Sequence, residues 1–300
     1  MSKPKVIFID DEERMVRSLE RMFRGRYDVI ATTNPQQVLD LVRTERIHVV
    51  VSDHRMPEMT GVDLLTEVRT ISPSTLRILL TGYADLAAVI GSINDGEIFR
   101  FLRKPWDEGE LRKKVDDAAS ISQALFEHGA STAAAEPSPS ATDILVIDDS
   151  EDVCQLVRRA LGDTQRVHWS NNLEDAIDIM GQSHIGVVLS DLHVNGSDIS
   201  GALKLLKRHD PTLITVVLTA FHHSGQLIDL INQAQVFRVL GKPVDSDSLA
   251  PIVSEAVSRS QKLSVDPTLV RQYAVESTVE ADNGPISEKL RALFTPGQQP

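Results

Sequence analysis

Along most of the chain, short apolar runs alternate with stretches in which apolar residues recur at helical spacing. The run KVIFI (5–9) precedes a pattern over 12–25 whose stripe is Met15, Leu19, Met22 and Phe23. YDVIA precedes 35–45, HVVVS precedes 61–70, LRILLT precedes 85–94, and FRFL precedes 107–126. Runs such as VIFI and VVV lack polar alternation, as strands covered on both faces do. Helical patterns between short strands imply parallel strands joined by right-handed crossovers. The prediction is an α/β fold, a doubly wound parallel sheet of five strands. Helix starts are marked too: Asn34-Pro35 supplies an N-cap followed by proline at the first helical position.

The grammar then repeats, from ILVID at 144–148 to VFRVLGKP at 236–243. Asp10, Asp11, Asp53, Pro73, Thr81, Lys104 and Pro105 recur 138 positions later as Asp148, Asp149, Asp191, Pro211, Thr219, Lys242 and Pro243. Between them the second copy has two extra residues before Gly201, set against Gly61, and two fewer after it. These are two copies of one domain. Ala130–Ser140, ASTAAAEPSPS, has too little large apolar surface to offset its ordering entropy and reads as a flexible linker. The expected divisions are a first domain over 1–128, a linker over 129–141, a second domain over 142–262 and a tail over 263–300. In the tail, Asp266-Pro267 resembles a helix start, and Ile286, Leu290, Leu293 and Phe294 space as one amphipathic face. Short helices folding back on the second domain are the plainer expectation there; a docking peptide exposed by modification is the sharper one.

Composition narrows the partners. The net charge is −12, with 21 acids against 18 bases over 1–128 and 16 against 10 over 142–262. Neither copy has the basic footprint of a nucleic-acid binder, and anionic membrane surfaces are disfavoured for the same reason. A single cysteine, Cys154, rules out an internal disulfide framework and reads as a small buried hydrophobe. No apolar run approaches membrane-spanning length, so no membrane insertion and a cytoplasmic location are expected.

The chemistry lies where the runs end. Ligands of open parallel sheets sit at the carboxyl ends of the strands. Asp10 and Asp11 follow VIFI, Asp53 follows VVVS, Thr81 follows ILL and Lys104 follows FRFL with one residue between. Three carboxylates, a hydroxyl and an ammonium should therefore converge at one edge. Two unit charges 4 Å apart at an effective dielectric of 20 interact by about 4 kcal/mol, so the acids need a countercharge. An all-oxygen set suits Mg²⁺, and metal, lysine and hydroxyl together suit a phosphoryl group on a carboxylate.

On these motifs both copies resemble receiver domains of two-component response regulators: DD after the first strand, D after the third, T after the fourth and KP after the fifth, over about 240 residues. The resemblance implies a flavodoxin-like receiver fold and phosphoacceptor roles for Asp53 and Asp191. It implies one Mg²⁺ per domain, held by Asp11, Asp53 and the Arg55 carbonyl, and by Asp149, Asp191 and the His193 carbonyl, with Asp10 and Asp148 in support. Lys104 and Lys242 would pair with phosphoryl oxygens, Thr81 and Thr219 would move to bind them with Phe101 as the accompanying switch ring, and the Lys104-Pro105 and Lys242-Pro243 bonds would be cis. The second copy departs from the pattern. It has Val239 where Phe101 stands, Val194-Asn195 where Met56-Pro57 stands, and a longer loop, HVNGSDISG. Tyr83 and Phe221, two residues after the threonines, point to slow loss of phosphate.

Plainer readings accompany other features. Arg14, Arg17, Arg21 and Arg24 form one stripe, but Glu13 and Glu20 stand four before Arg17 and Arg24, which reads as a solvated, paired face. His222-His223 lacks ligand spacing, and Trp106 reads as packing near the sheet edge.

The leading expectation is a non-enzymatic phospho-switch, phosphorylated by a histidine kinase or phosphotransfer protein and acting through contacts with an unidentified downstream protein, with room for a homodimer. Two alternatives stand beside it. The stretch FRFLRKPW resembles receivers attached to cyclic-dinucleotide phosphodiesterases or hybrid histidine kinases, so the chain could act in trans on such an enzyme. An aspartyl-phosphate phosphatase is less favoured, because that family places its nucleophile in a DxD motif at the first strand.

Overall fold

The computed structural model describes residues 3–82, 98–128, 142–220, 230–232 and 234–265, together with Val270 and Lys289. It divides into two compact units, 1–133 and 134–300. The predicted helix over 85–94, the linker over 129–141 and the amphipathic tail segments lie outside the described residues.

Unit one runs β1 (Lys5–Ile9), α1 (Glu13–Phe23), β2 (Asp28–Thr32), α2 (Pro35–Thr44), β3 (Val49–Asp53), α3 (Gly61–Ile71), β4 (Leu76–Thr81), β5 (Arg100–Arg103) and α4 (Glu108–His128). The five strands are parallel in the order β2-β1-β3-β4-β5. That order reverses direction beside β1, which puts the switch point between β1 and β3. Side-chain alternation loads both faces. Val6, Phe8, Val49, Val51, Ile78 and Leu80 join Leu19 and Phe23 of α1 and Leu111 and Val115 of α4 in one core cluster. Ile7, Ile9, Val50 and Leu79 alternate with them and are equally buried. Both faces being dry explains the uninterrupted apolar runs. The Asn34 side chain accepts from the N–H groups of Gln36 and Gln37, the cap expected from Asn34-Pro35.

Unit two repeats the plan: β6 (Asp143–Ile147), α5 (Asp152–Leu161), β7 (Val167–Ser170), α6 (Leu173–Gln182), β8 (Ile185–Asp191), a small hairpin β9 (His193–Val194) and β10 (Ser197–Asp198), α7 (Ser200–His209), β11 (Ile214–Thr219), β12 (Arg238–Gly241) and α8 (Ser246–Val265). Its sheet, β12-β11-β8-β6-β7, is all parallel and has the same relative order. Cys154 is fully buried in its core. Helix α8 continues past residue 262, and Leu263 is buried, so the packed core extends beyond that boundary. Val270 packs against this core and Lys289 pairs with Glu174 of α6.

Among the described residues no helix is long and apolar enough to cross a membrane.

Candidate functional site

The strand ends assemble the acids. In unit one, Asp10 follows β1 and is 1% exposed, while Asp53 closes β3 and is 5% exposed. Lys104, just past β5, reaches both: its Nζ lies 2.9 Å from Asp10 Oδ2 and 2.5 Å from Asp53 Oδ1. The other Asp53 oxygen accepts the Arg55 N–H at 2.9 Å. Asp10 Oδ1 accepts the Glu12 N–H at 2.9 Å, a local turn that leads into α1 and leaves Asp11 exposed. Thr81 is fully buried at the end of β4, and its hydroxyl donates to the Gly82 carbonyl at 3.3 Å. Phe101 is buried on β5. Trp106 is partly buried against the unit-one core, with its ring 5.8 Å from Lys104 Nζ.

Unit two builds the same arrangement. Lys242 Nζ lies 2.6 Å from Asp148 Oδ2 and hydrogen-bonds Asp191. Asp191 Oδ1 accepts the backbone N–H of Leu192 at 2.6 Å and of His193 at 3.2 Å. Asp148 is buried, Asp149 is exposed, and Thr219 is half-buried at the end of β11. Trp169 of β7 donates its indole N–H to the Asp148 carbonyl at 3.0 Å. Both Lys-Pro bonds are cis, Lys104-Pro105 and Lys242-Pro243.

The electrostatics follow from burial and pairing. Burial works against the Lys104 ammonium, but the hydrogen bonds and charges of Asp53 and Asp10 outweigh it, so its pKa lies above the ordinary lysine value. Lys242 is displaced upward for the same balance of reasons, with Asp148 and Asp191 as partners. Each lysine is therefore a fixed countercharge for its two acids near neutral pH.

Among the described residues no three acid, histidine or cysteine side chains form a ready-made metal cage. Each lobe instead has two acids bridged by lysine, Asp10 and Asp53 buried in the first, Asp148 buried and Asp191 half-buried in the second, and a third, exposed carboxylate next along the chain from the first-strand acid. That oxygen-only donor set fits a hard cation that keeps most of its waters and takes few protein ligands, as Mg²⁺ does.

Asp10, Asp53, Thr81 and Lys104, and Asp148, Asp191, Thr219 and Lys242, fall at this edge of their sheets, with Asp11 and Asp149 next along the chain, while Phe101 lies within β5. Tyr83, Phe221 and His222-His223 lie outside the described residues. The Glu13–Arg17 pair on α1 is present at 2.8 Å. The match of Gly61 with Gly201 is one of sequence and not of role. A Cβ on Gly61 would meet the Asp53 carbonyl oxygen at 1.9 Å, whereas nothing lies within 4 Å of one on Gly201. The backbone position equivalent to Gly61 is Ile199: the N–H of each closes its loop, onto the carbonyl of His54 and of Leu192 respectively. HVNGSDISG, a longer loop by its sequence, folds in part as a hairpin, for which Asn-Gly between short runs is the usual signal.

Comparison with known proteins accords with this geometry. The family model for the response regulator receiver domain matches residues 6–116 and again 144–254. The hydrogenase transcriptional regulatory protein HoxA of Cupriavidus necator is 33% identical over 113 residues, 38% of this chain and 23% of that protein. HoxA of Bradyrhizobium diazoefficiens is 29% identical over 116 residues, 39% of this chain and 24% of that protein. The chain thus spans about a quarter of the length of these regulators. Sporulation initiation phosphotransferase F of Bacillus subtilis is 29% identical over 116 residues, 38% of this chain and 93% of that protein. Among solved structures, the signal receiver domain of an HD domain-containing protein from Pseudomonas fluorescens is 32% identical, with a TM-score of 0.40, over 42% of this chain and 94% of that one.

Proposed function

The chain belongs to the response regulator receiver domain family, twice over, and from that premise we propose that it is a tandem phosphoacceptor switch with live sites at Asp53 and Asp191. One observation carries the reading: in each lobe a lysine just past the last strand bridges two aspartates at the ends of the first and third strands, both buried in lobe one and, in lobe two, Asp148 buried and Asp191 half-buried.

In the proposed reaction a carboxylate oxygen of Asp53 or Asp191 attacks the phosphorus of a kinase phosphohistidine or a small acyl phosphate. The new bond is O–P. The bond broken is P–N, with the imidazole leaving neutral after its ring takes up a proton from solvent, or the P–O bond of the acyl phosphate, with a carboxylate leaving. Lys104 and Lys242 then exchange an acceptor oxygen for a phosphoryl oxygen. Asp10 and Asp148 hold those lysines in place meanwhile, because each lysine keeps its second carboxylate. Thr81 and Thr219 stand one strand away, where a hydroxyl can turn to donate to the phosphoryl group, and Phe101 is the accompanying switch ring in lobe one. Bound Mg²⁺, held by Asp11, Asp53 and the Arg55 carbonyl or by Asp149, Asp191 and the His193 carbonyl, would neutralise charge on the transferring group.

The proposed donor is a histidine kinase or phosphotransfer protein, and the proposed output is contact with another protein. A subunit acting in trans on a phosphodiesterase or histidine kinase is a variant of the same reading. The reading predicts stoichiometric modification without turnover. Incubation with a phosphomonoester should release no steady flux of phosphate, while a small acyl phosphate with Mg²⁺ should add phosphoryl groups up to a fixed number per chain. Sustained hydrolysis abolished by Asp53→Asn would support the phosphatase instead.

A further inference from the structure

The two sites differ most in the loop after the acceptor. In lobe two, Val194 pairs with Ser197 and His193 with Asp198 in an antiparallel hairpin. Its turn is Asn195-Gly196, with φ of 51° and 73°, the dipeptide suited to a two-residue turn that needs positive φ at both positions. The Ile199 N–H closes the base onto the Leu192 carbonyl at 3.0 Å, and Leu192, Val194 and Ile199 are buried. The tip is tied to the acid site. The Asn195 backbone N–H donates to Asp149 Oδ1 at 2.6 Å, and Asn195 Nδ2 donates to the Asn171 carbonyl at 2.6 Å. The loop after Asp191 is thereby fastened to the ends of both β6 and β7. In lobe one the corresponding loop forms no hairpin and contains Pro57, and among the described residues none donates a hydrogen bond to Asp11.

We propose that Asn195 is a positioning residue that latches Asp149, so that lobe two takes up a divalent cation more weakly than lobe one and is the slower of the two to be phosphorylated. This rests on the reading above, in which Asp11 and Asp149 are the equivalent exposed cation ligands. A carboxylate oxygen offers about two lone-pair directions, and the hairpin occupies one on Asp149 Oδ1 with a charge-assisted bond. A cation drawing on that carboxylate must compete with the bond, share the oxygen at a geometry the hairpin dictates, or displace the tip. The Asn171 contact resists displacement. Among the described residues lobe one has no such competitor.

The chain holds two tryptophans, and each stands beside one site: Trp106 near Lys104, and Trp169 on the Asp148 carbonyl. In full-length protein, Trp106→Phe leaves Trp169 as the reporter of lobe two, and Trp169→Phe leaves Trp106 for lobe one. Mg²⁺ titration should give a weaker Kd in lobe two. Asn195→Ala removes the Asn171 anchor and disfavours positive φ, and should tighten lobe two roughly tenfold, as loss of one charge-assisted competitor allows. Asn195→Gly keeps the turn and the N–H but not the anchor, and should give part of that gain. Neither change should move lobe one. Hydrogen exchange at the Asn195 amide should quicken when Mg²⁺ is added to the wild type. If both variants bind Mg²⁺ in lobe two as the wild type does or more weakly, the latch is wrong and the cation site stands. If lobe one responds to Mg²⁺ while lobe two responds in no variant, the cation reading of lobe two fails, and the latch fails with it.

Discussion

A Cβ on Gly61 would fall 1.9 Å from the backbone oxygen of Asp53. The first residue of α3 therefore packs directly on the strand end that carries the proposed acceptor, at a distance no other residue type permits. Gly61→Ala must shift α3 or the end of β3. Urea unfolding should show a loss of about 2–4 kcal/mol, and phosphoryl uptake at Asp53 should slow. Gly201 is the second residue of the matching helix and has open space around it. Gly201→Ala should be neutral or stabilise by up to about 1 kcal/mol through helix propensity alone. Equal losses at the two glycines would contradict this account of the α3 contact.

Removing a bridging lysine should expose the repulsion that it neutralises. Lys104→Met leaves Asp10 and Asp53 buried without their countercharge, at a cost of about 2–4 kcal/mol in Mg²⁺-free buffer. Added Mg²⁺ should restore more stability to the variant than to the wild type, since the cation takes over the lysine's charge. The raised lysine pKa fixes the sign of the pH dependence in the wild type. The pair's contribution is fully present below the ordinary lysine value of about 10.5 and is lost only as pH rises through the higher folded value. Unfolding midpoints in the variant that ignore Mg²⁺ would show that no cation shares this charge cluster.

A second lysine behaves in the opposite way. Lys207 of α7 is fully buried and donates to the carbonyls of Pro211 at 2.8 Å and Leu213 at 2.6 Å. Burial pushes its pKa down to about 7, with Asp210 opposing and Arg259 adding to the shift. The unfolded chain then binds more protons than the folded one between about pH 7 and 10.5, so this residue makes lobe two more stable as pH rises through that window. Lys207→Met should flatten that dependence. It should also cost about 1–3 kcal/mol by leaving two carbonyls without their donor, read by thermal unfolding at several pH values.

Strand pattern and charge grammar make the fold and most of the site legible in the sequence. Uninterrupted runs such as VIFI and VVV suggest strands covered on both faces, which the two buried faces of the sheet bear out. Asp10, Asp53 and Lys104 each stood where a strand stopped, and the 138-residue offset tested that placement a second time. What escaped depends on three-dimensional proximity. The buried guanidinium groups of Arg100 and Arg238 lie over Phe99 and Phe237 at 4.0 Å in both lobes, but arginine in a strand run reads as an exposed edge residue. The hairpin at Asn195 was hidden because its strands are too short to show period-two alternation. The unequal roles of Gly61 and Gly201 could not be read from an identity match, because closeness to Asp53 is a property of the folded chain.

The most direct test of the central claim is intact mass after exposure of the full chain to a small acyl phosphate with Mg²⁺. At saturation the wild type should gain two phosphoryl groups, Asp53→Asn and Asp191→Asn one each, and the double variant none. A wild type that gains none, or a double variant that still gains two, would contradict the assignment of these aspartates as the acceptors.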